Sequence, residues 1–257
     1  AFPSHALARR FNWKLKQLAL TPSDFLLYPD TCYTAEFLKA YDEEEMVVFD
    51  TETTGLDVFA DDIIEIAAMK IKGGEIVGEP LDLYIKTDKP ILPKLGDKDN
   101  PMYAIYHEKL SAEELITPQE ALQRFLAYIG TRPILGHNAN YDYNIIDNCL
   151  QRYCNDTLKA HKNPCFDSLK LIRLLSPSLH SYKLESLLET FQLTGKNSHQ
   201  AIDDVGATVS LVRLCAEKAR EKQPQQQSFL QHPKVKPFIN TLRNSYGELY
   251  LNGVQHL

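Results

Sequence analysis

The sequence lacks any long hydrophobic run. Nowhere among its 257 residues does it approach the ~18 consecutive apolar residues that a membrane-spanning helix needs. The N-terminus also lacks a secretory signal. Because the chain begins at Ala1 rather than at Met, we expect a fragment or a processed chain. These absences predict a cytoplasmic protein that makes no membrane contact.

Cysteine is scarce and follows no pattern. The five cysteines are an odd number and include no Cys-x-x-Cys pair. This argues against both a disulfide framework and a zinc ribbon. We expect scattered reduced thiols, which is the ordinary state of cysteine in the cytoplasm. The residues are Cys32, Cys149, Cys154, Cys165 and Cys215.

An excess of basic charge is also missing. Lys and Arg total 28 against 34 Asp and Glu, so the formal net charge is −6. This excludes a protein coated with positive charge, but it does not exclude a nucleic-acid site where the charge is local. With 44% hydrophobic and 24% charged residues, the composition is that of a globular protein long enough for one large domain or two small ones.

Three parts of the chain differ in pattern. Residues 1–45 are predicted to form an N-terminal helical extension, since residues 6–20 place apolar side chains among Arg and Lys at helical spacing. Residues 222–227 are polar and low in complexity, which is typical of a linker. We therefore predict a central domain over 46–221, followed by a linker and C-terminal tail over 222–257.

Strands open the central part and helices follow. Residues 46–49 and 63–71 are apolar runs typical of buried strands, and Gly73-Gly74 marks a hairpin turn. A proline-rich loop is predicted after the third strand. The remaining predictions are strands at 75–77, 81–85 and 133–135, and helices at 118–129, 141–153, 168–175, 183–191 and 200–221. This order indicates an α/β protein with a mixed sheet flanked by helices.

Two acidic residues follow the first apolar run. Asp50 and Glu52 lie two positions apart, so strand periodicity directs both side chains to the same face. At about 4 Å two such charges repel by about 4 kcal/mol with an effective dielectric of ~20, so a buried pair needs a cation or a proton. Oxygen ligands favour magnesium or manganese over zinc. A strand end that runs into solvent explains the pair equally well, and the pair alone leaves both interpretations open.

Two later polar segments change this balance, because both lie where a helix is predicted to begin. Taken with the first, they form three motifs: Asp-x-Glu-x-Thr-Gly at 50–55, His-Asn-x-x-aromatic-Asp at 137–142 and His-x-Ala-x-x-Asp at 199–204. In order and spacing they resemble the DEDDh 3′–5′ exonucleases, the DnaQ-like family of DNA-polymerase proofreading subunits. The resemblance covers residues 46–218. One departure is His107-Glu108-Lys109, where many relatives carry His-Gly-Ile, so recognition of the substrate end is expected to differ.

The resemblance implies an RNase H-like fold with a mixed five-stranded sheet, and two divalent cations, Mg²⁺ or Mn²⁺. Asp50, Glu52 and Asp204 would hold these cations, and Asp142 would hold the second directly or through water. Two cations ~3.5–4 Å apart would clamp the scissile phosphate between attacking water and leaving 3′ oxygen. The metal ligands are thus also the predicted catalytic carboxylates.

His199 completes the predicted catalytic set as the general base, a task that suits a side chain that titrates near neutrality. Five residues separate it from Asp204, about 140° around a helix, so the two cannot share one helical face well. If Ser198 caps this helix, His199 lies at its frayed start and can swing over a metal site.

The resemblance also implies contacts to the terminal nucleotide. Thr53, Gly55 and Leu56 would line the pocket of the 3′ nucleoside, with Leu56 against the base. Tyr141 is predicted either to stack on a base, a contact worth ~1–3 kcal/mol, or to be a half-buried helix aromatic. Asn138 belongs to the same predicted substrate set, although a role in holding its loop fits it better.

Other polar residues near the motifs are predicted to have structural rather than catalytic roles. Asp61 and Asp62 are predicted to form a solvated turn, and Asp167 and Glu65 to make structural hydrogen bonds. Three histidines outside the third motif are expected to be packed or at the surface: His107, His137 and His161.

Several alternatives stay open. The leading hypothesis is removal of nucleotides from single-stranded or frayed 3′ ends of DNA, with a polymerase or helicase as a protein partner. The same chemistry on RNA, as in oligoribonucleases, would use the same catalytic residues. A non-catalytic nucleic-acid-binding or interaction module that keeps the fold is the third hypothesis, and the presence of all four carboxylates and His199 argues against it.

Overall fold

The computed structural model describes residues 22–95, 98–196, 198 and 200–231. It divides into two units, one made of Ala1–Leu38 with Glu217–Leu257 and the other of Lys39–Ala216. In the first unit the described residues are helical, at 22–38 and 217–231. The helix predicted at 6–20 lies outside the described residues.

Strands and helices alternate through the second unit much as the hydrophobic pattern predicts. In chain order, the described strands are β1 (Met46–Thr53), β2 (Ile63–Lys72), β3 (Glu75–Ile76), β4 (Leu81–Tyr84), β5 (Lys94–Leu95), β6 (Lys98–Asp99), β7 (Ile134–Gly136) and β8 (Cys165–Asp167). The described helices are α1 (Pro22–Glu43), α2 (Pro101–Ser111), α3 (Pro118–Ile129), α4 (Asn140–Cys154), α5 (Leu158–His161), α6 (Ser168–Leu175), α7 (Leu184–Phe191) and α8 (Ala201–Gln231). None of these helices combines the length and the apolar character that a membrane crossing needs.

The main sheet is mixed. Its order is β3-β2-β1-β7-β8, and β4 pairs with β2 beside β3, so the sheet is five positions wide. β1 runs antiparallel to β2, whereas β1, β7 and β8 are parallel to one another. A parallel neighbour requires a crossover connection, which α3 supplies before β7 and α4 before β8. This arrangement confirms the predicted α/β architecture.

One face of the sheet packs on α3 and α4. Val47 and Phe49 point to this face and lie in one apolar cluster with Phe125 of α3 and Ile146 of α4. The rings of Phe49 and Phe125 are 5.8 Å apart, within the range of favourable aromatic contacts. Because side chains alternate along a strand, Val48 and Asp50 lie on the face opposite Val47 and Phe49.

Side-chain caps set the boundaries of two helices that flank this core. The hydroxyl of Thr117 accepts a hydrogen bond from the amide of Glu120, and Pro118 occupies the first position of α3. The carboxylate of Asp167 accepts from the amide of Leu169 and so caps α6. This agrees with the structural hydrogen bond predicted for Asp167.

α2 lies where we predict a proline-rich loop, and that prediction was wrong for Pro101. Proline suits the first position of a helix because no partner is needed for its missing amide hydrogen. Asn100 caps the helix by accepting from the amide of Met102, and Met102 and Tyr106 pack on Ile64. The helical spacing of Met102 and Tyr106 therefore decides the local structure, in spite of the prolines in this segment.

α8 continues to Gln231, beyond the predicted end at Glu221. Residues 222–227, interpreted as a linker, are helical in the structure. Glutamine and lysine are good helix formers, so low complexity alone does not interrupt a helix, and Pro224 is a single breaker. The domain boundaries themselves remain predictions.

Phe125 provides a test of the core that supports β1. Replacing Phe125 with alanine should lower the free energy of unfolding by about 3–5 kcal/mol, because the side chain is fully buried against Phe49. Urea denaturation followed by circular dichroism measures this loss. Arg124→Ala is the matched control, since its exposed ion pair with Glu120 contributes at most about 1 kcal/mol. Equal losses for the two variants would contradict the assigned packing.

Candidate active site

The end of β1 carries the two acids of the first motif. Asp50 lies opposite Ala67 of β2, and Glu52 lies opposite Glu65, so Asp50, Glu52 and Glu65 share one face of the sheet. Both β1 acids are half-buried. A break in the pairing register follows Glu52, where the chain leaves the sheet.

Asp204 reaches the same place from the first turn of α8. The amides of Asp203 and Asp204 both donate to the carbonyl of Gln200, which starts the helix. Carboxylate oxygens of Asp50, Glu52 and Asp204 all lie within 4.8 Å of one another. Residues far apart in the sequence therefore form one acidic cluster.

Asp142 lies beside this cluster and is held by Thr51. Its Oδ1 accepts hydrogen bonds from the Thr51 hydroxyl at 2.5 Å and from the Thr51 amide at 3.2 Å. Thr51 points to the face that α4 covers, so the first turn of α4 brings Asp142 against β1 from that side. The sequence predictions missed this contact, because nothing in the local pattern around Thr51 indicates a partner on α4.

Crowding changes the acidity of these carboxyl groups. Burial, reinforced by Asp142 and Glu52, raises the pKa of Asp50 well above its usual value. Burial and the neighbouring Glu65 raise the pKa of Glu52 to about 8. Burial also raises the pKa of Asp142 to about 7, although the Thr51 hydroxyl opposes the shift. The cluster therefore favours protons or cations, and its oxygen-only donors suit Mg²⁺ or Mn²⁺.

Glu65 is buried directly behind Glu52. Burial, followed by repulsion from Asp82, raises its pKa to about 8. Among the described residues, no donor gives either carboxyl oxygen of Glu65 a hydrogen bond of ordinary geometry. The amides of Ala201 and Ile202 at the start of α8 nevertheless favour its charged form. The link from Glu65 to α8 is thus electrostatic, with an acid facing the positively polarised end of a helix.

His199 lies outside the described residues, so its predicted role stays a prediction. Its neighbour Ser198 was expected to cap α8, but the helix begins at Ala201 and Gln200 is the residue directly before it. The Ser198 hydroxyl instead donates to Asp203 at 2.7 Å, and its amide donates to Asp204 Oδ1 at 3.1 Å. The segment before α8 is therefore tied to a carboxylate of the cluster.

The β1–β2 loop, residues 54–62, joins the cluster to the predicted nucleoside pocket. The hydroxyl of Tyr141 donates to the carbonyl of Gly55 at 2.6 Å, and the Thr53 hydroxyl lies 2.8 Å from both groups. A Cβ added to Gly55 would lie 2.6 Å from the carboxylate of Asp61, so any other residue here would have to displace that side chain. Leu56 is 89% exposed beside this bonded group.

Asp62 corrects the prediction of a solvated turn. Its side chain is buried, accepts a hydrogen bond from Thr87 at 2.8 Å and pairs with Arg152 at 3.0 Å. Although burial works against it, Thr87, Lys89 and Arg152 lower the pKa of Asp62. The sequence pattern could not reveal this burial, because its charged partners come from distant segments. Asp61 stabilises the same loop, because its carboxylate accepts a hydrogen bond from the Thr54 hydroxyl.

The segment around the second motif is held by its own hydrogen bonds. Asn138 adopts a left-handed conformation with φ of 63°, which asparagine tolerates, and its amide donates to Asp167. His137 is packed between the Ser168 hydroxyl and the carbonyl of Tyr182, and burial lowers its pKa. Both observations favour structural roles, as predicted for His137.

Comparisons with known proteins agree with this geometry. The sequence profile of the exonuclease family, RNase T type, matches residues 47–212. DNA polymerase III of the PolC type is 32% identical over 180 residues in Clostridium perfringens and 34% identical over 171 residues in Thermotoga maritima. These matches cover 70% and 66% of this chain, which spans only 12% of each polymerase.

Solved structures show the same fold. Escherichia coli exonuclease I in complex with a dT13 oligonucleotide has a TM-score of 0.55 and 23% identity, covering 72% of this chain and 43% of that chain. An exonuclease I from Methylocaldum szegediense has a TM-score of 0.52, with 23% identity over 72% of this chain and 42% of its own. The RNase H-like fold is thereby confirmed.

A mixed sheet brings the acids of β1 and of the start of α8 together, and the matching family profile identifies this arrangement as an exonuclease domain. The chain belongs to the RNase T/DnaQ-like exonuclease family, and its domain is of the 3′–5′ type.

The raised pKa values of these carboxyl groups predict how cations and pH act together. Without cations, the free energy of unfolding should fall as pH rises from about 4.5 to about 8, the usual and the folded pKa of Glu52. In this range the folded state binds more protons than the unfolded state, so a rise in pH favours unfolding. Mg²⁺ or Mn²⁺ should reduce the fall, because a cation replaces the proton.

Scanning calorimetry across this pH range, with EDTA or with Mg²⁺, measures the effect through Tm. Glu52→Gln is the comparison variant, because it removes one of the titrating charges and should show a smaller fall in EDTA. Identical pH profiles for the two proteins would contradict the proposed crowding.

Proposed function

We propose that this protein removes nucleotides one at a time from single-stranded or frayed 3′ ends of DNA by metal-dependent hydrolysis. One observation carries the proposal. The carboxylates of Asp50, Glu52 and Asp204 converge within 4.8 Å in a domain of the exonuclease family. Three oxygen donors at this spacing are a suitable divalent-cation site on a surface that would otherwise repel phosphate.

DNA is the preferred substrate class in this proposal. The relatives from Clostridium perfringens and Thermotoga maritima are DNA polymerases, and exonuclease I has been solved with a dT13 oligonucleotide. The matching part of the polymerase relatives is 12% of their length. A polymerase or a helicase is therefore the protein partner that we propose.

Four acids would bind the cations. Asp50, Glu52 and Asp204 would hold the cations, and Asp142 would complete the second site directly or through water. When bound, two divalent cations would supply activation of the attacking water and charge stabilisation at the leaving 3′ oxygen. Thr51 fixes the orientation of Asp142 through two hydrogen bonds, so that its free oxygen keeps one direction.

His199 would take the proton from the attacking water. As the water oxygen bonds to phosphorus, the bond from phosphorus to the 3′ oxygen breaks and a 5′-mononucleotide leaves. Ser198 and Gln200, which flank His199, both hydrogen-bond the first turn of α8. The two sequence neighbours of His199 are therefore held at the start of α8, next to Asp204.

The terminal nucleoside would lie against the β1–β2 loop. Thr53 and Gly55 would line its pocket and Leu56 would contact the base. Tyr141 would act mainly through its hydroxyl, which holds the Gly55 carbonyl, while its half-buried ring borders the pocket. Asn138 would shape the adjoining turn rather than bind substrate directly, in view of its left-handed backbone.

Degradation of 5′-labelled single-stranded DNA tests the proposal. With Mg²⁺ or Mn²⁺ the products should shorten from the 3′ end, and EDTA should abolish the reaction. Asp50→Asn and Asp204→Asn should each lose at least roughly 100-fold in kcat, because each weakens cation binding worth several kcal/mol. His199→Ala should lose about 100- to 10,000-fold, the usual contribution of a general base.

Asp203→Asn is the matched control, since Asp203 is adjacent to Asp204 but its carboxylate bonds Ser198. It should keep activity close to the wild type. RNA of matched sequence separates the alternatives, because faster cleavage of RNA would make the protein an exoribonuclease. Activity that survives both Asp50→Asn and His199→Ala would contradict the assigned site, and an inactive wild-type protein would favour a binding module.

Tyr141→Phe tests the loop attachment. Loss of the hydroxyl removes a hydrogen bond to Gly55, worth about 0.5–1.5 kcal/mol, so KM for single-stranded DNA should rise about 2- to 12-fold while kcat stays nearly constant. Steady-state kinetics on a labelled oligonucleotide measures both constants. Tyr143→Phe is the control on the same helix, because Tyr143 packs against the apolar core. A lower kcat with unchanged KM would contradict a positioning role for Tyr141.

A further inference from the structure

The β1–β2 loop, which directly follows the β1 end that carries Asp50 and Glu52, exposes two large apolar side chains. Leu56 is 89% exposed and Phe59 is 76% exposed. Single exposed apolar residues are ordinary on protein surfaces, whereas neighbouring ones next to a site indicate a binding surface. Leu56 has a part in the proposed function, but Phe59 has none.

The loop holds Phe59 on a rigid support. Oδ1 of Asp57 accepts hydrogen bonds from the amides of Phe59 at 2.9 Å and Ala60 at 3.3 Å. Asp61 accepts from the amide of Asp57 at 2.8 Å, and Arg152 donates to the Asp61 carbonyl at 2.5 Å. These hydrogen bonds hold the backbone that carries Phe59, which reduces the backbone entropy lost on binding.

The support is continuous with the catalytic cluster. The amide of Thr54 donates to the carbonyl of Asp62 at 2.9 Å, which closes the base of the loop directly after Thr53. Leu56 and Phe59 are three residues apart, so their Cα atoms are separated by at most about 11 Å. Two bases near one strand end can therefore contact the two side chains together.

Charge and shape favour a nucleobase as the occupant. The loop carries the acids Asp57 and Asp61, which repel a phosphate backbone, so the aromatic face of Phe59 is its attractive element. Bases stack on aromatic rings with little dependence on sequence. A base stacked on a protein ring has left its own stack, so such a contact selects an unpaired strand.

We propose that Phe59 stacks on a base upstream of the 3′-terminal nucleotide and thereby gives the enzyme a preference for single-stranded or frayed ends. This inference rests on the proposed function, since it requires a strand whose 3′ end lies at Asp50 and Asp204. Phe59 is a specificity residue and takes no part in bond cleavage.

The test compares a substrate with one nucleoside to substrates with several. The p-nitrophenyl ester of thymidine 5′-monophosphate reaches only the terminal site, whereas oligothymidylates also reach the loop. Phe59→Ala should raise KM for the oligonucleotides about 5- to 100-fold with little change in kcat. Both constants for the ester should stay at wild-type values.

Two further replacements separate stacking from general apolar contact. Phe59→Trp should keep the wild-type KM, and Phe59→Leu should behave like Phe59→Ala. Ile76→Ala is the control, because Ile76 is an exposed apolar residue on β3, which pairs with the opposite end of β2. Equal rescue by leucine and tryptophan, or an oligonucleotide KM that Phe59→Ala leaves unchanged, would overturn the proposal.

Fluorescence anisotropy with a labelled oligothymidylate and Ca²⁺ measures binding without cleavage. Weaker binding by Phe59→Ala supports the stacking contact even if the wild-type protein cleaves nothing, an outcome that would refute the proposed hydrolysis alone. Equal binding by wild type and Phe59→Ala would overturn the proposed contact. This result is expected if Phe59 binds a protein partner instead of a base.

Discussion

Repulsion among carboxylates at the end of β1 is the constraint around which the domain is arranged. Asp50, Glu52 and Asp204 converge within 4.8 Å, with Asp142 beside them and Glu65 buried behind. The rest of the domain must supply enough packing to hold acids that repel one another. A site of this kind is stable as a cation receptor and strained without a cation or a proton, which makes binding of the metal part of its energetics.

The two faces of the sheet divide these tasks. Val47 and Phe49 are buried against α3 and α4, and this burial sets the register of β1. Because side chains alternate, the same register places Asp50 and Glu52 on the other face, where α8 begins. A slip of one residue would exchange the apolar and acidic faces, so the core specifies the position of the proposed catalytic acids.

Local pattern sufficed to predict much of this arrangement. The spacing of Asp50 and Glu52, the apolar runs of β1 and β2 and the helical period of α3 and α4 all depend on near neighbours in the chain. Two of the features that sequence missed depend on distant ones. Asp62 is buried because Arg152 and Lys89 neutralise it, and the Thr51–Asp142 contact requires a strand and a helix to meet. His199 lies outside the described residues, so its role rests on sequence.

The cluster draws its ligands from an early strand and a late helix, and this separation has a consequence for biosynthesis. A growing chain that has not yet reached Asp204 already contains every described strand of the main sheet, but it lacks one acid of the cluster. Under the proposed function, hydrolysis would therefore begin only when nearly the whole domain has been made. Truncated products that end before Asp204 would lack the proposed activity on nucleic acids.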